Sequence, residues 1–93
     1  MKNPTILAIA GGFYFFGDEV PSTTPGYVCL KAAAMFGGFG GGKGLPGVSR
    51  GDREATVILD RFDEQMTCSF PESAVYGILP SIDLYTFKGT TLR

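Results

Sequence analysis

Residues 5–16 read TILAIAGGFYFF, two apolar runs on either side of a glycine pair. Isoleucine and the aromatic residues favour an extended backbone, and Gly11-Gly12 suits a turn between two strands or a bulge within one. The stretch therefore predicts either two strands or a single strand bent at the glycines. In both cases extended structure is favoured over helix.

Four later stretches also have the composition or the alternation of β-strands. They are residues 27–30, 54–60, 67–70 and 82–87. The clearest is 54–60, whose central Val57-Ile58-Leu59 indicates burial on both faces. A short polar tail is expected after residue 87.

Turns and short helical segments are predicted between these strands. Residues 17–19 have turn chemistry, and 21–26 form an exposed loop because they contain two prolines and three hydroxyl residues. Alanine and methionine over 32–35 favour a bend toward helix, which Gly37 ends. One helical turn is predicted over 71–76, with proline at its first position.

A chain of 93 residues is predicted to form one domain over 1–93, because two separate cores would each bury too little surface to offset chain entropy. Four to six short strands with at most one or two helical turns indicate an all-β or β-rich α+β fold. The expected architecture is a small roll, barrel or sandwich.

The segment from Gly37 to Gly51 contains eight glycines in fifteen positions. Glycine loses more conformational entropy on ordering than any other residue, so a long mobile loop is predicted unless a partner or a second subunit clamps it. Gly37, Gly42 and Lys43 match the opening of a phosphate-binding loop. However, Gly44 stands where a Mg²⁺-binding hydroxyl is required, and the glycines and proline that follow argue against the helix such loops precede.

Charge and composition argue against several classes of function. Eight basic residues stand against nine acidic ones, so no strong field attracts a nucleic acid, and a nucleic-acid partner is not expected. The chain has no histidine, and so lacks the commonest general base and the usual ligand of catalytic zinc. The carboxylates of Asp60, Asp63 and Glu64 lack the spacing of a calcium loop and are expected in a solvated turn. We therefore predict a non-enzyme without a metal or a cofactor.

Cys29 and Cys68 each lie in an apolar stretch, which favours two buried free thiols over a disulfide. A reducing compartment is the expected location. No apolar run approaches the roughly 18 residues of a membrane span. The protein is therefore predicted to be cytoplasmic, without membrane association.

The aromatic residues are the strongest chemical signal in the sequence. Phe13, Tyr14, Phe15 and Phe16 are consecutive, and alternate side chains of a strand point to opposite faces. One pair of rings must therefore be covered by a further part of this chain, by a second copy, or by a ligand or partner. Arg50 and Arg53 belong to a solvated charge cluster or to the polar rim of a subunit contact. The candidate interface residues are Phe13, Tyr14, Phe15, Phe16, Phe36, Phe39, Lys43, Arg50 and Arg53.

The order of several short motifs resembles a family of small, functionally uncharacterised phage and prophage proteins. These motifs are Ala10 to Gly17, Val28 to Ala33, the following Gly-Gly stretch and Gly47-Val48, and together they span about positions 5 to 60. The resemblance implies a phage origin. It also implies a non-enzymatic accessory role, such as disabling a host defence factor by binding it.

Together these observations predict a non-catalytic interaction protein that associates with itself and presents the glycine-rich loop to a host protein in the host cytoplasm. A virion component, such as a head-decoration or tail-associated subunit, is the first alternative. The second is binding of a small nucleotide signal through the loop amides and Lys43.

Overall fold

Of the two alternatives for residues 5–16, the structure has the two separate strands, β1 (Pro4–Ile9) and β2 (Phe13–Val20). In the computed structural model, which describes residues 1–63 and 66–93, the two strands pair antiparallel from Pro4↔Asp18 to Ile9↔Phe13. Gly11 and Gly12 turn the chain at φ 93° and 84°, a region that glycine enters readily. The glycines therefore connect two strands. The turn predicted at 17–19 is wrong, because those residues continue β2 beside the next strand.

Strand β3 (Tyr27–Gly40) has 14 residues, more than three times the length predicted, and it pairs with three other strands. One side pairs with β2; the other pairs first with β5 (Thr67–Pro71) and then with β4 (Thr56–Arg61). The bend toward helix expected over 32–35 is therefore wrong. Backbone pairing with strands distant in sequence keeps the segment extended despite its alanines.

The long mobile loop predicted over 37–51 is also wrong. Residues 37–40 complete β3, where Gly40 pairs with Thr56, and residues 44–50 form helix α1 (Gly44–Arg50). A helix does follow Lys43, because Pro46 lies in the first turn, where the backbone N–H has no helical acceptor anyway. Gly51 ends α1 in the left-handed conformation at φ 71°.

A bulge interrupts β3 at Ala32, which has φ 53°. Phe16 pairs with Ala34 and Asp18 with Lys31, so Gly17 alone faces two residues of β3. A Cβ on Gly17 would lie 3.0 Å from both the Leu30 Cβ and the Lys31 carbonyl oxygen. Glycine at position 17 therefore lets the two strands approach closely at the bulge.

The described residues form one seven-stranded sheet in the order β6-β1-β2-β3-β4-β7, with β5 beside the first part of β3. The β-rich class is thus confirmed. Strand β6 (Val75–Pro80) follows a short 3-10 turn (Glu72–Ala74), so the helical segment expected over 71–76 is only half realised. The strand predicted at 82–87 is wrong: that segment is irregular, and β7 (Thr90–Leu92) instead pairs with β4 in parallel.

The sheet has a hydrophobic core on each face. The helix-side core, under α1 and the 82–87 segment, consists of Ile6, Phe16, Ala34, Val48, Ala55, Val57, Leu59 and Leu84. The roll core consists of Leu7, Val28, Leu30 and Ala33, with Phe15, Phe70 and Val75 packed around it. Only residues 72–74 separate β5 from β6, and all five strands of β6-β1-β2-β3-β5 contribute side chains to the roll core.

Candidate protein interface

The four consecutive aromatic residues of β2 are divided between the two faces of the sheet. Phe16 is fully buried in the helix-side core, with its ring 5.2 Å from that of Tyr85. Phe15 lies on the roll side, 4.8 Å from Phe70 between ring centroids. Phe13 remains 53% exposed. Intrachain packing therefore covers Phe15 and Phe16, and Phe16 is not accessible to a partner in this fold.

Tyr14, Phe36 and Phe39 come together as an aromatic trio on the helix side of the sheet. Their ring centroids lie 5.7 to 5.9 Å apart, with Phe39 edge-on to both of the others. Separations and angles of this kind are favourable for aromatic pairs. Phe39 is 38% exposed, whereas Tyr14 and Phe36 are half-buried. The three rings therefore cover much of one another's apolar surface.

The three predicted basic residues lie at the two ends of α1 and in the turn that follows it. Lys43 is exposed at the N-terminal boundary of α1. Arg50 forms an exposed ion pair with Asp52 at 2.7 Å, and its hydrogen bond holds the pKa of that carboxyl below its ordinary value. Such exposed pairs contribute little to stability. Within the described residues, no ring contact or ion pair joins these cations to the trio.

Sequence reasoning missed the most exposed apolar surface of the sheet, on edge strand β6. Tyr76 is 78% exposed and Ile78 is 52% exposed, and β6 carries no charged residue. Edge strands are usually protected by lysine or another charge that opposes pairing with foreign strands. Ile78 pairs directly with the fully buried Leu7, so both side chains lie on the same face. Ile78 therefore extends the apolar surface of the roll core to the solvent-exposed edge of the sheet.

A cleft of about 630 Å³ opens beside β6. Val75 and Ile78 line one side, and the end of β2 and the start of β3 line the other, through Glu19 and Val28. Glu72 is the second acidic residue of the lining, and the cleft has no basic residue among its described lining residues. Gly77 and Pro80 are residues typical of turns, and their presence within β6 masks in the sequence the two-residue alternation of exposed Tyr76, Ile78 and Pro80.

The two cysteines are free, as predicted, and lie on neighbouring strands. Cys29 pairs with Ser69 in the β3–β5 register, and its Sγ lies 3.3 Å from the Ser69 Oγ. Cys68 precedes Ser69 and so projects to the opposite face, which keeps the thiols apart. Burial raises the pKa of the Cys68 thiol, which therefore stays in its weakly nucleophilic neutral form at pH 7.

No protein family, curated protein or solved structure matches this chain. In the part of the chain that the structure describes, no helix is both long and apolar enough to cross a membrane. Asp60 and Asp63 join no metal-binding group of three or more residues within 1–63 and 66–93, and Glu64 lies outside the described residues.

Proposed function

We propose that this chain is a non-catalytic interaction protein that binds another polypeptide through β6 and the adjoining cleft. The observation that carries the proposal is the position of Ile78, which shares a face with buried Leu7 yet is 52% exposed. Burying apolar surface of this kind contributes about 25 cal/mol per Å². A partner that covers Ile78 and Tyr76 would therefore complete the roll core.

The aromatic trio is a weaker candidate for the main contact. Its rings already pack on one another, so a partner would gain little further burial there. The β6 edge offers both uncovered apolar side chains and unpaired backbone. This contrast favours β6 over the residues that the sequence indicated.

The absence of histidine and the neutral state of the Cys68 thiol support a binding role over catalysis. The resemblance to phage proteins supports an accessory role, in which occupying a host protein's surface blocks its activity. The partner in this proposal is therefore another protein in the host cytoplasm rather than a substrate.

Selection from a random peptide library displayed on phage tests the β6 interface. The wild-type protein and an Ile78→Lys variant are immobilised separately, and Leu92→Lys serves as the control because Leu92 is an exposed apolar residue on a different edge strand, β7. We expect sequences that bind the wild type and Leu92→Lys equally but bind Ile78→Lys at least tenfold more weakly. Binding that is indifferent to Ile78→Lys would refute the interface.

Light scattering after size-exclusion chromatography tests whether a second copy occupies the same surface. If the wild type is a stable dimer and Ile78→Lys is a monomer, β6 is a self-association surface. That result would overturn the proposal that a different protein binds there. We expect Ile78→Lys and the wild type to elute as the same species. Their unfolding midpoints should also agree, because Ile78 is half-exposed.

A second candidate function is binding of a small anion such as a nucleotide. It is favoured by a cavity of about 410 Å³ in which two cations, Arg53 and Lys88, outnumber one carboxylate, Asp83, beside the ring of Phe87. Neither cation forms a salt bridge within the described residues. A panel of cyclic and linear nucleotides should raise the melting temperature of the wild type but not of Arg53→Gln. No shift with any nucleotide would remove this candidate.

A further inference from the structure

We infer that the partner supplies an extended, basic segment that adds to β6 as a further strand and places lysine or arginine side chains against Glu19 and Glu72. This inference rests on the proposed function, and it adds the backbone geometry and the charge of the partner. The recognition mode is strand addition to an open sheet edge.

The first support is the direction of the β6 backbone groups. The Ser81 N–H donates a hydrogen bond to the Pro4 carbonyl at 3.0 Å, which makes this a hydrogen-bonded pair at the end of the β1–β6 ladder. Such pairs alternate along an antiparallel ladder. Ile78, three positions away and opposite Leu7, therefore falls at a non-hydrogen-bonded pair. Its N–H and C=O point away from β1, toward the open edge.

Pro80 agrees with this assignment. Pro80 lies two positions from Ile78, so its backbone nitrogen also faces the open edge. The ladder with β1 therefore needs no N–H at this position, and proline is tolerated there. Within the described residues β6 pairs with β1 alone. The open edge therefore offers a donor and an acceptor at Ile78 and a further acceptor at Pro80.

The second support is the shape of the surface. Strand β6 has six residues, and a strand of that length extends about 20 Å. The cleft lies along β6 from Val75 to Ile78. An extended chain can bond the edge and insert alternate side chains into the cleft, whereas a compact small molecule would leave most of the edge unpaired.

The third support is charge. Glu19 pairs with Leu30 in the β2–β3 register, so its carboxylate lies on the face of the roll core, and Glu72 lines the same cleft. Neither carboxylate forms a salt bridge in the described part of the chain. A lysine or arginine side chain can lay its aliphatic stem on Val28 and Val75 while its charge reaches these carboxylates.

Fluorescence anisotropy with defined peptides tests this inference. The probe is a labelled nine-residue peptide in which valine alternates with lysine and threonine; its acidic twin has glutamate in place of every lysine. We expect the basic peptide to bind at least tenfold more tightly than the twin. The double variant Glu19→Gln, Glu72→Gln should lose most of that preference and much of its salt dependence, because charge pairing at the rim is screened by salt.

Backbone methylation of the same peptide tests strand addition directly. Alternate N–H groups of a strand point to opposite edges, so methylating one alternate set should weaken binding at least tenfold and methylating the other set should change it less than threefold. Two equal effects would overturn strand addition. A basic peptide that binds no more tightly than its acidic twin would overturn the charge assignment.

The results also separate this inference from the proposed function. Peptides that bind in an Ile78-sensitive manner, but without the methylation pattern or the charge preference, leave β6 as the interface and refute only the inference. If neither defined peptide nor any sequence from the random selection loses binding with Ile78→Lys, the proposed function fails as well.

Discussion

The phenolic hydroxyl of Tyr85 donates a hydrogen bond to the backbone carbonyl of Ala32. Ala32 is the bulge residue of β3 and the only non-glycine residue with positive φ in the described part of the chain. The irregular segment that contains Tyr85 therefore fixes the bulge from the helix side of the sheet. This contact joins residues 53 positions apart in the sequence.

Replacing Tyr85 with phenylalanine should lower the free energy of unfolding. The ring remains against Phe16, but the Ala32 carbonyl loses its hydroxyl donor, at a cost of about 1 to 3 kcal/mol. Urea denaturation followed by circular dichroism measures the difference. The control is Tyr76→Phe, at a ring that is 78% exposed, which should change stability by less than about 0.5 kcal/mol. Equal stability of both variants would contradict the role of the Tyr85 bond.

Gly41 and Gly42 should tolerate alanine to different degrees. Both have positive φ, at 77° and 67°, so alanine is strained at either position by about 1 to 2 kcal/mol. At Gly41 the new Cβ would also lie 1.9 Å from the Glu54 carbonyl oxygen, whereas at Gly42 the nearest atom would be 3.7 Å away. Gly41→Ala should therefore be the less stable variant by at least about 1 kcal/mol. Thermal unfolding of the two variants side by side checks this order.

Substitutions at Leu84 and Ile82 distinguish the observed irregular structure of residues 82–87 from the strand that the sequence predicts there. Leu84 is fully buried in the helix-side core, whereas Ile82 is 37% exposed. Leu84→Ala should cost about 2 to 5 kcal/mol through lost burial and the cavity left behind. Ile82→Ala should cost clearly less, as measured by urea denaturation. Similar losses at both positions would instead fit a regular strand, in which Ile82 and Leu84 lie on the same buried face.

Asp60 should contribute to the pH dependence of stability. Arg93 donates two hydrogen bonds to its carboxylate, at 2.7 and 3.0 Å, and these lower the pKa of Asp60 in the folded state. Because the folded pKa lies below the unfolded one, this stabilisation is fully present above about pH 4 and is lost as the pH falls through the folded value.

The measurement is the urea midpoint of the wild type and of Asp60→Asn at pH 7 and at pH 2. The wild type should have the higher urea midpoint at pH 7, and the difference between the two midpoints should be smaller at pH 2. Because the pair is exposed, 0.5 M salt should also narrow it at pH 7. A difference in urea midpoint that does not change with pH would show that the Asp60–Arg93 ion pair is not the source of the difference.

The elements predicted from the sequence are those set by local signals. The apolar runs of β1 and β2 predict extended structure there, while Gly11-Gly12 alone leave a bulge within one strand as an alternative to the turn between two. In contrast, Gly38 and Gly40 are extended because they pair with Ile58 and Thr56, about sixteen to twenty positions away, and glycine composition alone predicts a loop there. The same limit applies to Gly77 and Pro80, whose place in β6 depends on pairing with β1.

The candidate site was only partly predictable for a related reason. Alternation along β2 showed that both faces of the sheet need cover, but not that Tyr85 and Leu84 would cover Phe16. Tyr14, Phe36 and Phe39 were identified singly because their grouping depends on the β2–β3 register. The exposed face of β6 was missed because only the tertiary fold shows that it forms an edge.

β3 forms hydrogen-bonded ladders with three partners, and its side chains contribute to both cores, through Ala34 on one face and Leu30 and Ala33 on the other. Because both cores include side chains of β3, neither core can open without disrupting the strand that the other core also uses. Amide protons at the centre of β3 should therefore exchange with solvent only through global unfolding, whereas those of β6 and β7 at the sheet margins escape through local fraying.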